Sequence, residues 1–427
     1  MYKKINWSET EYIQLDSIFF ENETQSSSEL SSGTNLLNPT TIIKDNFLRK
    51  NISISDINIY TSPLGTSSLR NAVRQYETSY FNINFPDDYT PFMTSGAADG
   101  LRIIFQFLKE KEMDNILVLG LQYPIVFQSI TNVNLSFYQL LGHSFNDGYL
   151  PKPEDIQCFL DESSIKFSAL FLTQPNNPTG TLYKNEDFSK VVRMCKKNNI
   201  YIIYEKIGSD IPCRYSDSSN IDHGFSIELY KYWDKFIIID SLSKKRAISG
   251  LRIGYVLANK EVCNYANLIR FGDCPITIGH EAIKKDLLLS SLVALEARGK
   301  VTNLVHMSSY DVQKKDINDY KETILSNLRT FSLTLSKYID NITCIDSGFN
   351  CLIKLNFSCN EFEFAKDLFE SQNLIIYPLN CFTLVPTKKL KENKLIFRLS
   401  LAEEESTFKK SINSLNEYLS KLDVNTK

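Results

Sequence analysis

Two basic residues eight positions apart carry the most chemistry in this 427-residue chain: Lys244 in Ser241-Leu-Ser-Lys244 and Arg252 in Gly250-Leu-Arg-Ile-Gly-Tyr255. The run Phe236-Ile-Ile-Ile-Asp240 just before them is too apolar for a surface and reads as a buried strand. A lysine held past the end of such a strand loses water, which lowers its pKa and frees a neutral amine to form a Schiff base with an aldehyde. The guanidinium of Arg252 suits a phosphate. A run such as Lys244-Lys-Arg246 is more often a solvated surface patch, so the assignment depends on companion motifs.

Those companions lie both before and after the lysine. Ser95-Gly96-Ala97-Ala98 opens an expected helix, and its small residues let backbone N–H groups approach an anion at the positive helix end, although many such starts are only caps. Gln174-Pro-Asn-Asn177-Pro-Thr-Gly180 is more specific, because two prolines and a glycine make a rigid turn that presents an amide at a strand end. Tyr123-Pro124 follows another expected strand and offers a flat aromatic face, though isolated tyrosines are usually packing. Arg398 interrupts the apolar run Leu395-Ile-Phe-Arg-Leu-Ser400. A buried arginine needs an anion, supplied either by a substrate carboxylate or by an internal Asp or Glu.

The elements that must position these groups follow from periodicity. Helices are expected over 67–80, 99–111 and 185–197, and strands over 116–119, 169–172, 200–203, 236–240 and 253–258. Short apolar runs between amphipathic helices imply crossover units and a mainly parallel sheet, with active sites at the strand carboxyl ends. After a long helical stretch, roughly 280–340, the style changes to α+β. Strands are expected there at 351–355, 374–377 and 395–400, and helices at 361–372 and 403–422. The polar segment 23–33 reads as a loop joining an N-terminal helix to the body.

Bulk properties narrow the function. Lys+Arg 47 against Asp+Glu 50 leaves a net charge of −3, with no field suited to nucleic acid or an anionic membrane, so a small-molecule substrate is expected. Nine scattered cysteines without a CxxC pair point to reduced thiols in a cytoplasmic protein and to no metal site. No apolar stretch approaches a membrane span or a secretory signal, and no DNA-binding segment is expected ahead of the fold.

Together these blocks resemble, from about Gly33 to Leu401 and in the same order, the class I/II aminotransferases, pyridoxal 5'-phosphate (PLP) enzymes of fold type I. The resemblance implies an α/β fold: a large PLP-binding domain over 47–320 with a mainly parallel, seven-stranded-type sheet flanked by helices. A smaller α+β domain would come from 1–46 plus 321–427. Lys244 would hold PLP as an internal aldimine, Arg252 and the turn Ser95, Gly96, Ala97 and Ala98 would hold its phosphate, and Ser241 and Ser243 would be further cofactor contacts. The amide of Asn177 would donate to the phenolic oxygen of PLP, and the ring of Tyr123 would stack on the pyridine. Arg398, with Gly33 nearby, would bind the α-carboxylate of an amino-acid substrate. Tyr60, five positions before Gly65, resembles the tyrosine that reaches the phosphate of a neighbouring subunit, which implies a homodimer with shared active sites.

The pattern also breaks. Where the family has an aspartate at a strand end and a tyrosine three residues later, this chain aligns as Tyr204-Glu205-Lys206-Ile207. On that alignment Tyr204 donates a hydrogen bond to a neutral pyridine but supplies no charge to keep the ring protonated. A shift of register toward Asp210 is disfavoured because that residue lies beyond the strand. Leu379 stands where a glycine is common, which alters the expected pocket. Family membership favours transamination of an L-amino acid; the changes around the ring favour elimination, replacement or cyclisation of the side chain. A non-catalytic scaffold is opposed by the joint presence of Lys244, Arg252, Asn177 and Arg398.

Overall fold

Apolar runs rich in Ile, Leu, Val and Phe line up as one seven-stranded sheet in the computed structural model, which describes residues 2, 5–22, 27–49, 60–82, 85–211, 234–270, 273–275, 278–301, 308–385, 390 and 393–425. Its strands are β1 (Thr90–Thr94), β2 (Asn115–Leu119), β3 (Ser136–Leu140), β4 (Ala169–Thr173), β5 (Tyr201–Glu205), β6 (Phe236–Ser241) and β7 (Gly254–Ala258). Across the sheet they run β1-β7-β6-β5-β4-β2-β3, and β7 alone is antiparallel to both of its neighbours. Both faces are covered, which is why these strands read as nearly unbroken apolar runs. Leu119, Leu172, Tyr204, Ile238 and Leu257 pack on one face, and Val118, Phe171, Ile203, Ile239 and Val256 on the other.

Amphipathic helices supply the two covers. On the first face lie Ser67–Phe81, started by Thr66, whose hydroxyl accepts from Leu69 N, and Asn185–Lys197 with Phe188 and Val191 inward. On the second lies Ala97–Glu110, burying Leu101, Ile104 and Phe105. The helix 185–197 falls where periodicity places it, and the neighbouring ends differ by a residue or two from expectation, as frayed termini usually do.

A separate core gathers around an antiparallel four-stranded sheet in the order Tyr377–Pro378, Ile396–Ser400, Asn350–Leu355, Ile339–Ile342. Helix Glu361–Gln372, capped by Asn360, packs here with Glu405–Asn425. Leu15 and Phe19 from helix Glu11–Asn22, and Leu30, join the same core.

Several expectations are corrected. The stretch 280–340 is helical as expected, in two helices, His280–Ala297 and Ser308–Thr334, but its last residues already begin the strand Ile339–Ile342. A boundary at residue 320 would fall inside that second helix. Strands β1 and β3 had no strong apolar signature, since Thr90-Pro91 and Ser136, Tyr138 and Gln139 dilute it. Of the loop at 23–33, residues 23–26 lie outside the described part, while Ser28–Glu29 form a short parallel ladder with Leu374–Ile375.

Candidate active site

The carboxyl ends of β4, β5 and β6, together with the small-domain strand Ile396–Ser400, surround a cavity of about 390 Å³. Lys244 reaches it from a one-turn helix, Leu242–Lys245, whose N-cap Ser241 accepts from Ser243 N at 3.1 Å. The carbonyl of Lys244 accepts from Asn35 Nδ2 at 2.7 Å, which ties the turn to the N-terminal segment. Burial, reinforced by the charges of Arg398 and Arg252, lowers the Lys244 amine to about 8. A useful fraction of it is therefore neutral near physiological pH. Its neighbours fare differently: Lys245 and Arg246 turn to the other side of the sheet and are buried in ion pairs, so the alternative of a solvated basic run, already disfavoured by the companion motifs, does not hold.

Arg252 sits in the left-handed region (φ 52°), donating to Ser249 O at 3.0 Å and Ser95 O at 3.2 Å while remaining exposed. Beside it the helix Ala97–Glu110 begins, with Gly96 as N-cap at φ 81°. A Cβ on Gly96 would lie 2.5 Å from Arg252 Nη2, and one on Gly254 would lie 2.7 Å from the Gly96 carbonyl carbon. Backbone and guanidinium thus approach as only glycine permits, leaving a helix N-terminus and a cation over one shared space. Ala97, Ala98, Ser241, Ser243 and Arg252 line the cavity at this end; Ser95 and Gly96 stand behind them.

The strand end at β5 corrects the alignment made from sequence. Strand β5 continues through residue 205, pairing Leu172 with Tyr204 and Thr173 with Glu205. Alternation then sends Tyr204 to the far face, fully buried against Phe188 and Phe236, with its hydroxyl 3.4 Å from Gln174 O. Tyr204 does not line the cavity; Glu205 does. Its carboxylate accepts from Tyr123 Oη at 2.5 Å and from Thr173 Oγ1 at 3.0 Å. Full burial raises it to about 7, against the lowering effect of those two donors. Burial, and then Glu205 itself, pushes the Tyr123 phenol well above its usual range. Sequence reasoning missed Glu205 because it ended the strand at residue 203; parity with Ile203 was the available signal. Asp210 lies away from the cavity, bonded to Arg246 and Tyr76.

Asn177 lines the cavity from the rigid turn, where Gly180 is required: its Cβ would lie 2.3 Å from Asn350 O. Asn177 Oδ1 accepts from Arg398 Nη1 at 3.0 Å, and Arg398 Nε donates to Ser31 O at 3.1 Å. Arg398 is 5 % exposed, its guanidinium 4.8 Å from the Phe382 ring centroid, and burial lowers its pKa. The internal carboxylate partner allowed for in the sequence is absent among the described residues. A Cβ on Gly33 would lie 3.5 Å from both terminal nitrogens of Arg398, so Gly33 keeps that face open. Tyr12, Asp16 and Tyr377 complete this end, Tyr377 donating to Asp16 Oδ1 at 2.7 Å. Leu379 points into the small-domain core and does not shape the cavity, whereas Phe382 does. Tyr60 is 88 % exposed and not part of the cavity of its own chain.

PLP fits these residues. The cavity offers an unpaired, partly neutral lysine, an anion cradle only glycine can form, a buried carboxylate and, at the other end, an arginine without an acid. Comparisons with known proteins agree. The chain is 24 % identical to the aspartate aminotransferase of Thermotoga maritima over 213 residues, covering 49 % of this chain and 53 % of that one. It is 24 % identical to a histidinol-phosphate aminotransferase of Colwellia psychrerythraea over 254 residues, covering 52 % and 63 %. The chain thus spans between half and two thirds of these curated relatives. Among solved structures, the T. maritima aspartate aminotransferase superposes with TM-score 0.70 at 18 % identity, covering 96 % and 97 % of the two chains. An aminotransferase from Mycobacterium tuberculosis gives 0.73 at 15 %, covering 95 % of each, and both likenesses establish the fold. The family profile "Aminotransferase class I and II" matches residues 27–410, and the chain belongs to that family.

Proposed function

We propose that this chain binds PLP and transfers the amino group of an L-amino acid, with Lys244 as the catalytic amine. The observation that carries the reading is the shared cavity of Lys244 and Glu205, at the ends of adjacent parallel strands. PLP, when bound, supplies an aldehyde to receive the amino group and a pyridine ring to take up the electrons of the Cα–H bond. The residues do the rest. Arg252 and the start of helix Ala97–Glu110 bind the phosphate, Asn177 holds the phenolic oxygen, and the ring of Tyr123 covers the pyridine. Glu205, steadied by Tyr123 and Thr173, keeps a proton at the pyridine nitrogen, a duty that the sequence alignment, with Tyr204 in this place, had left unfilled. Arg398 takes the α-carboxylate and turns the Cα–H toward Lys244, whose lowered pKa lets Nζ accept that proton and return it elsewhere.

The alternative of side-chain elimination, replacement or cyclisation rested on two changes around the ring, a lost carboxylate and a lost tyrosine hydroxyl. Glu205 in the cavity removes the first and larger argument, while Ile207 lines the cavity without a hydroxyl. The test is to load cofactor-free protein with PLP, add single L-amino acids and follow absorbance and product masses. Oxo acids are expected; ammonia-releasing or cyclised products would overturn the reading. Arg398→Ala should lower kcat/KM for every α-amino acid by on the order of a hundredfold while PLP stays bound, because the carboxylate contact is removed and the phosphate end of the cavity is untouched.

A further inference from the structure

Each of the two cavity groups that carry chemistry is followed in the chain by a lysine facing away from it: Glu205 by Lys206, Lys244 by Lys245. Both following lysines are fully buried, and their ammonium groups meet at one atom. Asp240 Oδ2 lies 3.0 Å from Lys206 Nζ and 2.6 Å from Lys245 Nζ, with Tyr255 Oη 2.9 Å away. Asp240 Oδ1 accepts from Ser241 N at 2.7 Å. Around this atom Lys206 also meets Glu77 Oε1 at 2.8 Å, and Arg246 binds Asp210 at 2.8 Å and Asp286 at 2.5 Å.

Four carboxylates and three cations are thus packed beneath the sheet's carboxyl edge, none more than 3 % exposed. Such a knot is a poor means of stabilising a fold, since burying charges costs about as much as their attraction returns, and apolar residues would serve as well. Its distinctive property is placement: Lys245 is hydrogen-bonded to Asp240 Oδ2 and Lys206 is held at the same atom by charge alone, whereas an apolar floor would let both slide. Opposite burial on adjacent residues converts that into placement of the cavity groups. Moving Lys206 moves Glu205, and moving Lys245 moves Lys244.

We propose that Asp240 is a positioning residue, which by holding Lys206 and Lys245 on a single oxygen sets where Glu205 and Lys244 stand relative to each other. The use of that spacing, to grip one ring at two points, rests on the PLP reading above.

The test uses cofactor-free full-length protein and the pH dependence of Lys244 acylation, read by peptide mass spectrometry. Arg398, Arg252 and Glu29 are the charged groups that act on Lys244; Asp240 faces Lys206, Lys245, Glu77 and Tyr255, with Asp210, Arg246, Tyr76 and Asp286 beyond. Asp240→Asn keeps the shape and removes the charge. If the turn loosens, Lys244 gains water and its midpoint rises from about 8 by about one unit, a roughly fivefold slower labelling at pH 8. Loss of a distant negative charge alone would move the midpoint down. Asp240→Glu, which keeps the charge but displaces the shared oxygen, should also raise it. A midpoint that stays or falls in Asp240→Asn, or stays in Asp240→Glu, overturns the proposal even if the melting temperature drops. Should Asp240→Asn fail to fold, Asp240→Glu carries the same test, with no charge lost to account for a rise. Since no PLP is present, a negative result leaves the cofactor reading intact, and that reading fails instead on the PLP titration.

Discussion

Above the carboxyl edge of the sheet Lys244, Arg252 and Arg398 have no carboxylate partner among the described residues; below it Lys206, Lys245 and Arg246 are each ion-paired with acids. The same residue types do opposite work on the two sides. Cations left without acids make a region suited to anions from outside, which in the proposed function are a phosphate and a carboxylate. Cations matched by internal acids hold a position and bind nothing. Lys244 and Lys245 are neighbours in the chain and fall on either side of that line.

The sharpest way to break the contrast is to remove each lysine in turn. Lys244→Ala should abolish the visible absorbance of bound PLP and any transamination, yet leave unfolding free energy nearly unchanged, because a desolvated, unpaired amine contributes little to stability. Lys245→Met should lower stability by about 3 kcal/mol in denaturant titration, since it removes the hydrogen-bonded one of the two cations on buried Asp240. Equal losses of stability in the two variants would erase the distinction.

A smaller effect concerns the one acid on the cavity side whose charge is disfavoured. Glu205 is raised from 4.5 to about 7 in the folded chain, so the unfolded chain binds fewer protons between those values. Stability linked to Glu205 is then complete below about pH 4.5 and is lost as pH rises through 7, on the order of 3 kcal/mol in all. Thermal unfolding of cofactor-free protein across that window should show the decline, and Glu205→Gln should flatten it. PLP should remove it in the wild type, because a ring proton favours the carboxylate. The smallest expected change is for Tyr204→Phe: with its ring packed on the far face, stability should shift by under about 1 kcal/mol and the PLP spectrum should stay as it was. A changed spectrum would return Tyr204 to the cavity.

Much of this was legible in the residues. Crossover units, the lysine turn, the glycine-lined helix start and the amide turn follow from short-range rules that act within a dozen positions: apolar period, turn chemistry and the space a missing Cβ leaves. Strands β1 and β3 escaped because their polar residues are tolerated only through pairing with distant neighbours.

What the sequence determined alone is the kind of protein, and it singled out Lys244 as the candidate reactive amine, since both readings depend on local patterns. Only the tertiary structure decided which of Tyr204 and Glu205 faces the cavity, because a strand's side chains alternate and one added residue of pairing exchanges the two faces. It also decided that Lys245 and Arg246 are buried. The acids that make their burial possible, Asp210, Asp240 and Asp286, come from separate elements, and no local rule brings them together.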